Sequence, residues 1–199
     1  MGWRVRRDAK LIPSVMAGGC CFVNCLHVAG QPGNKEPGNG ETDMSKSLKR
    51  VVRALEEAGL TADVMEMDGS TRTAVEAADQ AGCEIDQICK SVIFRGEDSG
   101  AALLFMTAGG NQVDADKASA LAGEPLGKAD AALIRAQTGF AIGGVAPVGH
   151  LTLIRAWFDP RLSAFDRVFA AAGTPRHIVP ITPEDLLRLT GAVPADFTA

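Results

Sequence analysis

Apolar positions along the chain switch between two periods, and the switches mark the elements. Leu48, Val51, Val52 and Leu55 recur at i, i+3, i+4 and i+7, so a helix is expected from a Ser47 cap to Ala58, with Gly59 as its stop. Asp63 to Met67 alternates and predicts a short strand. Thr73-Ala-Val-Glu76 is a capping box, which opens a second helix ending at Gly82. Two apolar runs, Ile85–Phe94 and Ala101–Thr107, flank the turn 95–100 and predict a β-hairpin. Short helices are expected over Ala115–Leu121 and, capped by Asp130, over Ala131–Gln137. A Gly/Pro loop then runs from Phe140 to His150, and Leu151–Phe158 reads as an apolar strand. The Asp159-Pro160 turn leads into an expected helix over Arg161–Ala172. His177–Pro180 is a predicted strand, and Thr182-Pro-Glu-Asp185 starts a last helix that ends at Gly191.

Strands and helices mix here without a regular βαβ beat. The fold class expected is therefore α+β, a single domain with a mixed curved β-sheet and surrounding helices, rather than a doubly wound sheet. The chain has 199 residues, 46% of them hydrophobic and 22% charged, which fits a globular chain and excludes collagen, coiled coil and disorder. Its net charge of −4 argues against a broad basic surface for coating a duplex, so no DNA partner is expected. A partner that presents a few phosphates to a local pocket remains compatible.

Residues 1–43 differ from the rest. A basic start (Arg4, Arg6, Arg7, Lys10) precedes an apolar run from Leu11 to Ala29 and a Pro/Gly/Asn-rich stretch from Gln31 to Gly40. Pro13, Gly18, Gly19 and Asn24 interrupt that run, whereas a membrane span needs about 18 apolar residues in a row. No membrane association is expected. Cys20, Cys21, Cys25 and His27 match no familiar zinc spacing, so neither metal nor cofactor is expected. The segment reads as a disordered extension or as a start codon placed too early, leaving 44–199 as the domain. The five cysteines form no pair of C-x-x-C units, and the chain reads as reduced and cytoplasmic.

Two features carry candidate chemistry. In Ile88-Cys-Lys-Ser-Val-Ile-Phe94, period two puts Lys90 on one face with Ile88, Val92 and Phe94. A dehydrated ammonium there needs an anionic partner or the mouth of a pocket. The same pattern equally suits an edge lysine, or one paired with Asp114 or Asp159. Cys89 and Ser91 fall on the opposite face, which argues against either as a nucleophile beside Lys90. The second feature is Gly143-Gly144-Val145-Ala-Pro147-Val-Gly149-His150. Glycines let main-chain N–H groups converge on a phosphate or on a carbonyl oxygen under attack, although such loops are also plain turns. The spacing excludes a nucleotide P-loop and a dinucleotide fingerprint.

The "ICKSVIF" strand, the "GFAIGGVAPVGH" loop, a strand ending in "WFD" and the closing "AAGTP…ITPEDLLRLT" together resemble the YbaK/EbsC family. These are free-standing relatives of the prolyl-tRNA synthetase editing domain, and the likeness runs from Met44 to Ala199. The resemblance implies a trans-editing hydrolase that deacylates mischarged aminoacyl-tRNA of the proline system. The aminoacyl-tRNA 3′ end would be its partner, and prolyl-tRNA synthetase a further one. It implies catalytic roles for Lys90, Gly143, Gly144 and Asp159, and substrate binding by Val145, Pro147, Gly149 and His150. It offers no covalent nucleophile and leaves a role for the substrate's own ribose hydroxyl. The chain has no tyrosine, so the tyrosines of the cysteinyl-tRNA branch have no counterpart. Met65, Met67, Phe94, Ile142 and Val145 are the expected determinants of pocket volume. The rival readings are a non-catalytic module that binds aminoacyl-tRNA or a synthetase, and a small-molecule esterase.

Overall fold

In the computed structural model, residues 45–69 and 73–199 are described, so the expectations for residues 1–43 lie outside the described residues. Helix α1 (Lys46–Glu57) is capped by Ser45, whose side chain accepts from Leu48 N at 3.2 Å, two residues before the expected cap. It buries Leu48, Val51 and Leu55, the stripe that the periodicity gave, and the i, i+4 pair Arg53–Glu57 stays outside. Strand β1 (Met65–Glu66) follows, then α2 (Ala74–Ala81) with the Thr73–Glu76 capping box formed as expected.

The hairpin is β2 (Ile88–Gly96) and β3 (Ala102–Ala108), with Lys90 opposite Thr107. Ile85–Gln87, expected to be strand, is a 3-10 turn. Next come α3 (Ala115–Ala122), β4 (Leu126–Lys128) and α4 (Ala131–Thr138). Strand β5 (Arg155–Phe158) is half the length expected, because Leu151–Ile154 stay in the loop with Leu151 and Leu153 in solvent.

The expected helix over Arg161–Ala172 does not form. A 3-10 turn (Pro160–Ala164) and strand β6 (Val168–Ala171) take its place. Phe-Ala-Ala-Ala favours helix locally, but Val168, Ala170 and Ala172 are buried in alternation and β6 pairs on both sides, so tertiary pairing overrides propensity. Strand β7 (His177–Ile181), helix α5 (Pro183–Thr190) and β8 (Val193–Pro194) complete the chain.

The strands form one mixed sheet in the order β1-β7-β6-β2-β3-β5-β8, with β4 pairing the far end of β2. This is the α+β architecture expected. Strand β3 is buried along its whole length and separates two cores. Leu104 and Met106 face α1, Phe140, Phe158 and Leu186, whereas Leu103 and Phe105 face Trp157, Phe197 and Ala118. The Phe105 and Trp157 rings stack at 4.7 Å. Among the described residues, no helix is long and apolar enough to cross a membrane.

Candidate active site

Strand β2 borders two short neighbours placed end to end. Strand β6 pairs with it at Ile88 and Cys89, and β4 pairs with it from Phe94 to Gly96. Residues 90–93 lie between those pairings, and a cleft of about 240 Å³ opens there. Lys90 and Ser91 line it from β2, Gly143 and Val145 from the Gly/Pro loop, and Phe169 and Ala171 from β6. Thr73, Ala74 and Ala77, at the start of α2, close one side. The sequence thus brings its two candidate features, the strand lysine and the glycine loop, to one opening.

Lys90 is held by a chain of contacts. Its ammonium donates to the carbonyl of Asn111 in the turn after β3. The Asn111 side-chain amide donates to Asp159 Oδ2 at 2.8 Å. That oxygen also accepts from Thr107 Oγ1 and Ala108 N, each at 3.1 Å, while Oδ1 accepts from Arg161 N at 2.9 Å. Asp159 is 3% exposed and does not line the cleft. Its four donors make it the anchor of the turn that holds Lys90, not a group that reaches the cleft. The same turn is fixed by Asp86, which accepts from Gly110 N at 3.0 Å and pairs with Arg161 at 2.9 Å. Gly109 presses so closely on Ile85 that an added Cβ would lie 2.0 Å from the Ile85 carbonyl oxygen. Burial draws the Lys90 ammonium below the ordinary lysine range, and the carboxylates of Asp159 and Asp86 oppose that pull. Asp114, the other partner considered, caps α3 through Asp116 N and Lys117 N.

The glycine loop divides. The Gly144 N–H donates to Ala141 O at 3.0 Å, so it closes a turn instead of pointing at a ligand. Gly144 is required by contact: a Cβ there would lie 2.6 Å from the Thr174 carbonyl carbon and 2.9 Å from Pro175 N. Among the described residues, the Gly143 and Val145 N–H groups meet no protein acceptor. Pro147, Gly149 and His150 line a separate cavity of about 350 Å³ beside Ala54 of α1 and Leu189 and Thr190 of α5. His150 Nε2 lies 2.7 Å from Ala146 O, which makes Nε2 the protonated ring nitrogen, and the ring meets Phe140 edge-on. Burial lowers its pKa, with the Arg50 guanidinium adding to the effect and the Ala146 carbonyl opposing it.

Of the residues expected to set pocket volume, Val145 lines the cleft, whereas Met67 is buried, Phe94 packs on Phe105 and Ile142 is exposed. Burial, with the Asp159 charge behind it, pushes the Cys89 thiol up to about 12, which removes it as a nucleophile. Among the described residues, no carboxylate or imidazole is among the side chains lining the cleft. Two participants were not legible in the strand pattern. Ser91 is on the face opposite Lys90 and joins the cleft because the neighbouring strands stop short. Asn111 follows two glycines, and a Gly-Gly-Asn turn after a buried strand is the signal that marks it.

Residues 68–189 match the sequence model of the aminoacyl-tRNA editing domain. The uncharacterized protein YwhH of Bacillus subtilis (strain 168) is 31% identical over 140 residues, 70% of this chain and 88% of its own. A crystal structure named as a candidate trans-editing enzyme for prolyl tRNA synthetase is 47% identical. It superposes with a TM-score of 0.73, covering 79% of this chain and 99% of that one. The hypothetical protein APE2540 is 29% identical, with a TM-score of 0.69 over 75% of this chain and 99% of its own. A matched segment that holds both the strand lysine and the glycine loop, on a sheet shared with these structures, places the chain in the aminoacyl-tRNA editing domain family.

Proposed function

We propose that this protein is a trans-editing hydrolase that cleaves the ester of mischarged aminoacyl-tRNA of the proline system. The observation that carries the reading is the shared cleft: the Lys90 side chain and the loop at Gly143 and Val145 line one opening of about 240 Å³. That volume lies below the range of roughly 300–1,000 Å³ for sites that enclose a drug-sized ligand. It suits a small acyl group, with the rest of the tRNA end resting outside.

Ester hydrolysis builds negative charge on the carbonyl oxygen. Main-chain donors that meet this charge are worth about 2.7–4 kcal/mol each in barrier height. The Gly143 and Val145 N–H groups are assigned that role. Lys90 is assigned to the ester oxygens or the terminal phosphate as a point charge, oriented by Asn111 and, one step further, by Asp159. Activation of water is assigned to the vicinal ribose hydroxyl of the substrate, since among the described residues the cleft lining has no carboxylate or imidazole. Gly144 and Asp159 thus act on the positions of the groups that touch substrate. His150, with Pro147 and Gly149, braces the loop from the second cavity.

A panel of mischarged tRNAs tests this. Multiple turnovers with at least one member, and loss of more than 100-fold in Lys90→Ala at unchanged circular dichroism, are the expected results. Unchanged turnover in Lys90→Ala would remove the assignment. The absence of a carboxylate or imidazole among the described lining residues favours one alternative, a module that holds aminoacyl-tRNA without cleaving it, and such a module would give no turnover at all. Free aminoacyl esters hydrolysed as fast as charged tRNA would point to a small-molecule esterase.

A further inference from the structure

Helix α1 carries Lys46, Lys49, Arg50 and Arg53 at i, i+3, i+4 and i+7, which puts four cations on the face opposite the buried Leu48, Val51 and Leu55. Residues 46–55 contain no acid, in a chain whose net charge is −4. Lys46, Lys49 and Arg53 are exposed, and Arg53 shares a solvated pair with Glu57. Among the described residues, no ion pair joins a carboxylate to Lys46, Arg50 or Arg135. The order of charge also opposes the helix itself. Lys46 and Lys49 stand at its start and Glu56 and Glu57 at its end, the reverse of what the macrodipole favours. A basic face kept against the helix's own stability calls for a partner outside the helix.

Arg50 sits over the Phe140 ring at 4.6 Å and against Gly139, at the end of α4. Its Nε and Nη2 are closed off from water and unpaired, so Arg50 adds positive field to this face without offering those atoms to a ligand. Burial, with the Arg135 guanidinium of α4 behind it, lowers its pKa. The start of the face adjoins the cleft. A Cβ on Gly173 would lie 2.8 Å from the Ser47 carbonyl oxygen, so the loop 173–175 presses on the first turn of α1. The same loop abuts Gly144, and Pro175 Cγ lies 3.9 Å from where a Cβ of Gly143 would stand, at the cleft.

We infer that the basic face of α1, continued by Arg135, seats the sugar–phosphate backbone of the RNA strand that leads to the acylated end. This deepens the proposed function and rests on it for the identity of the RNA. At 1.5 Å per residue, Lys46 to Arg53 covers about 10 Å. Phosphates recur about every 3.4 Å along one strand of a duplex, so the stripe meets two or three of them. Such contacts fix position and register and carry no sequence information. The acidic remainder of the chain repels the RNA elsewhere, which leaves this face as the track toward the cleft. An acidic protein segment is the competing occupant. RNA is favoured because an acyl group held in the cleft obliges its neighbouring phosphates to cross the adjoining rim.

Fluorescence anisotropy of the full chain with uncharged tRNA of the proline system, in KCl from about 50 to 300 mM, reads Kd and its salt dependence. The parent is expected to show a log–log slope of about −2 to −3, at about −0.7 to −0.9 for each phosphate neutralised. Lys46→Ala/Lys49→Ala should bring that slope nearer zero by about 1.4–1.8 and weaken Kd by about 10-fold or more at 0.1 M salt. Lys46→Glu, which sets a charge with the dipole, should bind tRNA more weakly and melt no lower than the parent. Lys117→Ala removes an exposed cation from α3, on the other core, and should keep the parent slope. A double variant with the parent's Kd and slope overturns the inference and leaves the stripe to an acidic protein partner. A parent with a flat salt dependence, or an equal loss in Lys117→Ala, overturns it as well. Deacylation of mischarged tRNA is measured separately: turnover with a flat salt dependence refutes the α1 surface and leaves the editing reading standing, whereas α1-dependent binding without turnover supports the surface and refutes the hydrolase.

Discussion

Replacing Asp159 with asparagine changes a buried charge while keeping its shape. Oδ2 accepts three hydrogen bonds, from Thr107 Oγ1, Ala108 N and Asn111 Nδ2, and Oδ1 accepts one, from Arg161 N. The asparagine oxygen can take the threefold position only if its amide nitrogen then faces the Arg161 N–H. One charge-assisted bond is lost, worth about 1.5–3 kcal/mol, and three others fall to neutral strength. Relief of the buried carboxylate offsets part of this, which leaves a net loss of about 2–4 kcal/mol. At about 2–4 °C per kcal/mol for a domain of this size, thermal unfolding followed by circular dichroism should show Tm lowered by roughly 5–15 °C. Asp159→Leu should fall further, because four donors are then left without an acceptor. The same substitution removes a carboxylate that holds up the pKa of Lys90, so Lys90 should titrate lower in Asp159→Asn than in the parent. A variant that melts within 2 °C of the parent, with the Lys90 titration unmoved, would refute the role of Asp159 as the anchor of the Asn111 turn.

Two other outcomes follow from the loop. Gly144→Ala drives a Cβ against the main chain of Thr174 and Pro175, and overpacking of this kind costs about 1–3 kcal/mol. Urea unfolding should show a lower midpoint with an unchanged slope, and an unaltered midpoint would contradict the close contact. His150 has a folded pKa below its ordinary value of 6.5 because it is buried. The unfolded chain thus binds the proton more readily, so the stability from neutral His150 is complete above pH 6.5 and declines as pH falls toward the lowered folded value. His150→Gln should flatten the stability profile between pH 7.5 and 5, and an unchanged acid slope would show that His150 does not report on the fold.

Lys90 was legible because one cation among Ile88, Val92 and Phe94 breaks an apolar alternation, and in the sheet Val92 and Phe94 face one core while Cys89 and Ile93 face the other. The loop was legible from its glycines and Pro147. Its division was not: whether Gly143 or His150 meets the cleft depends on where α1 and α5 pack, and those contacts join residues far apart in the chain. Asp159 shows a similar limit. An acid before proline looks the same whether it faces a ligand or collects four internal donors, and only its burial separates the two. The alanines of β6 misled for a different reason, since a helix-favouring composition was used where a narrow sheet interior needs small side chains.

The interruption beside β2 also bears on how this scaffold can diversify. If β6 ran on by two or three residues to meet β4, the ladder would be continuous and the opening would vanish. The architecture forgoes those main-chain bonds, and in return two adjacent positions with opposite chemistry share one chamber. The length of either short neighbour thus sets the width of the opening, while the β2–β3 hairpin that carries Lys90 stays as it is.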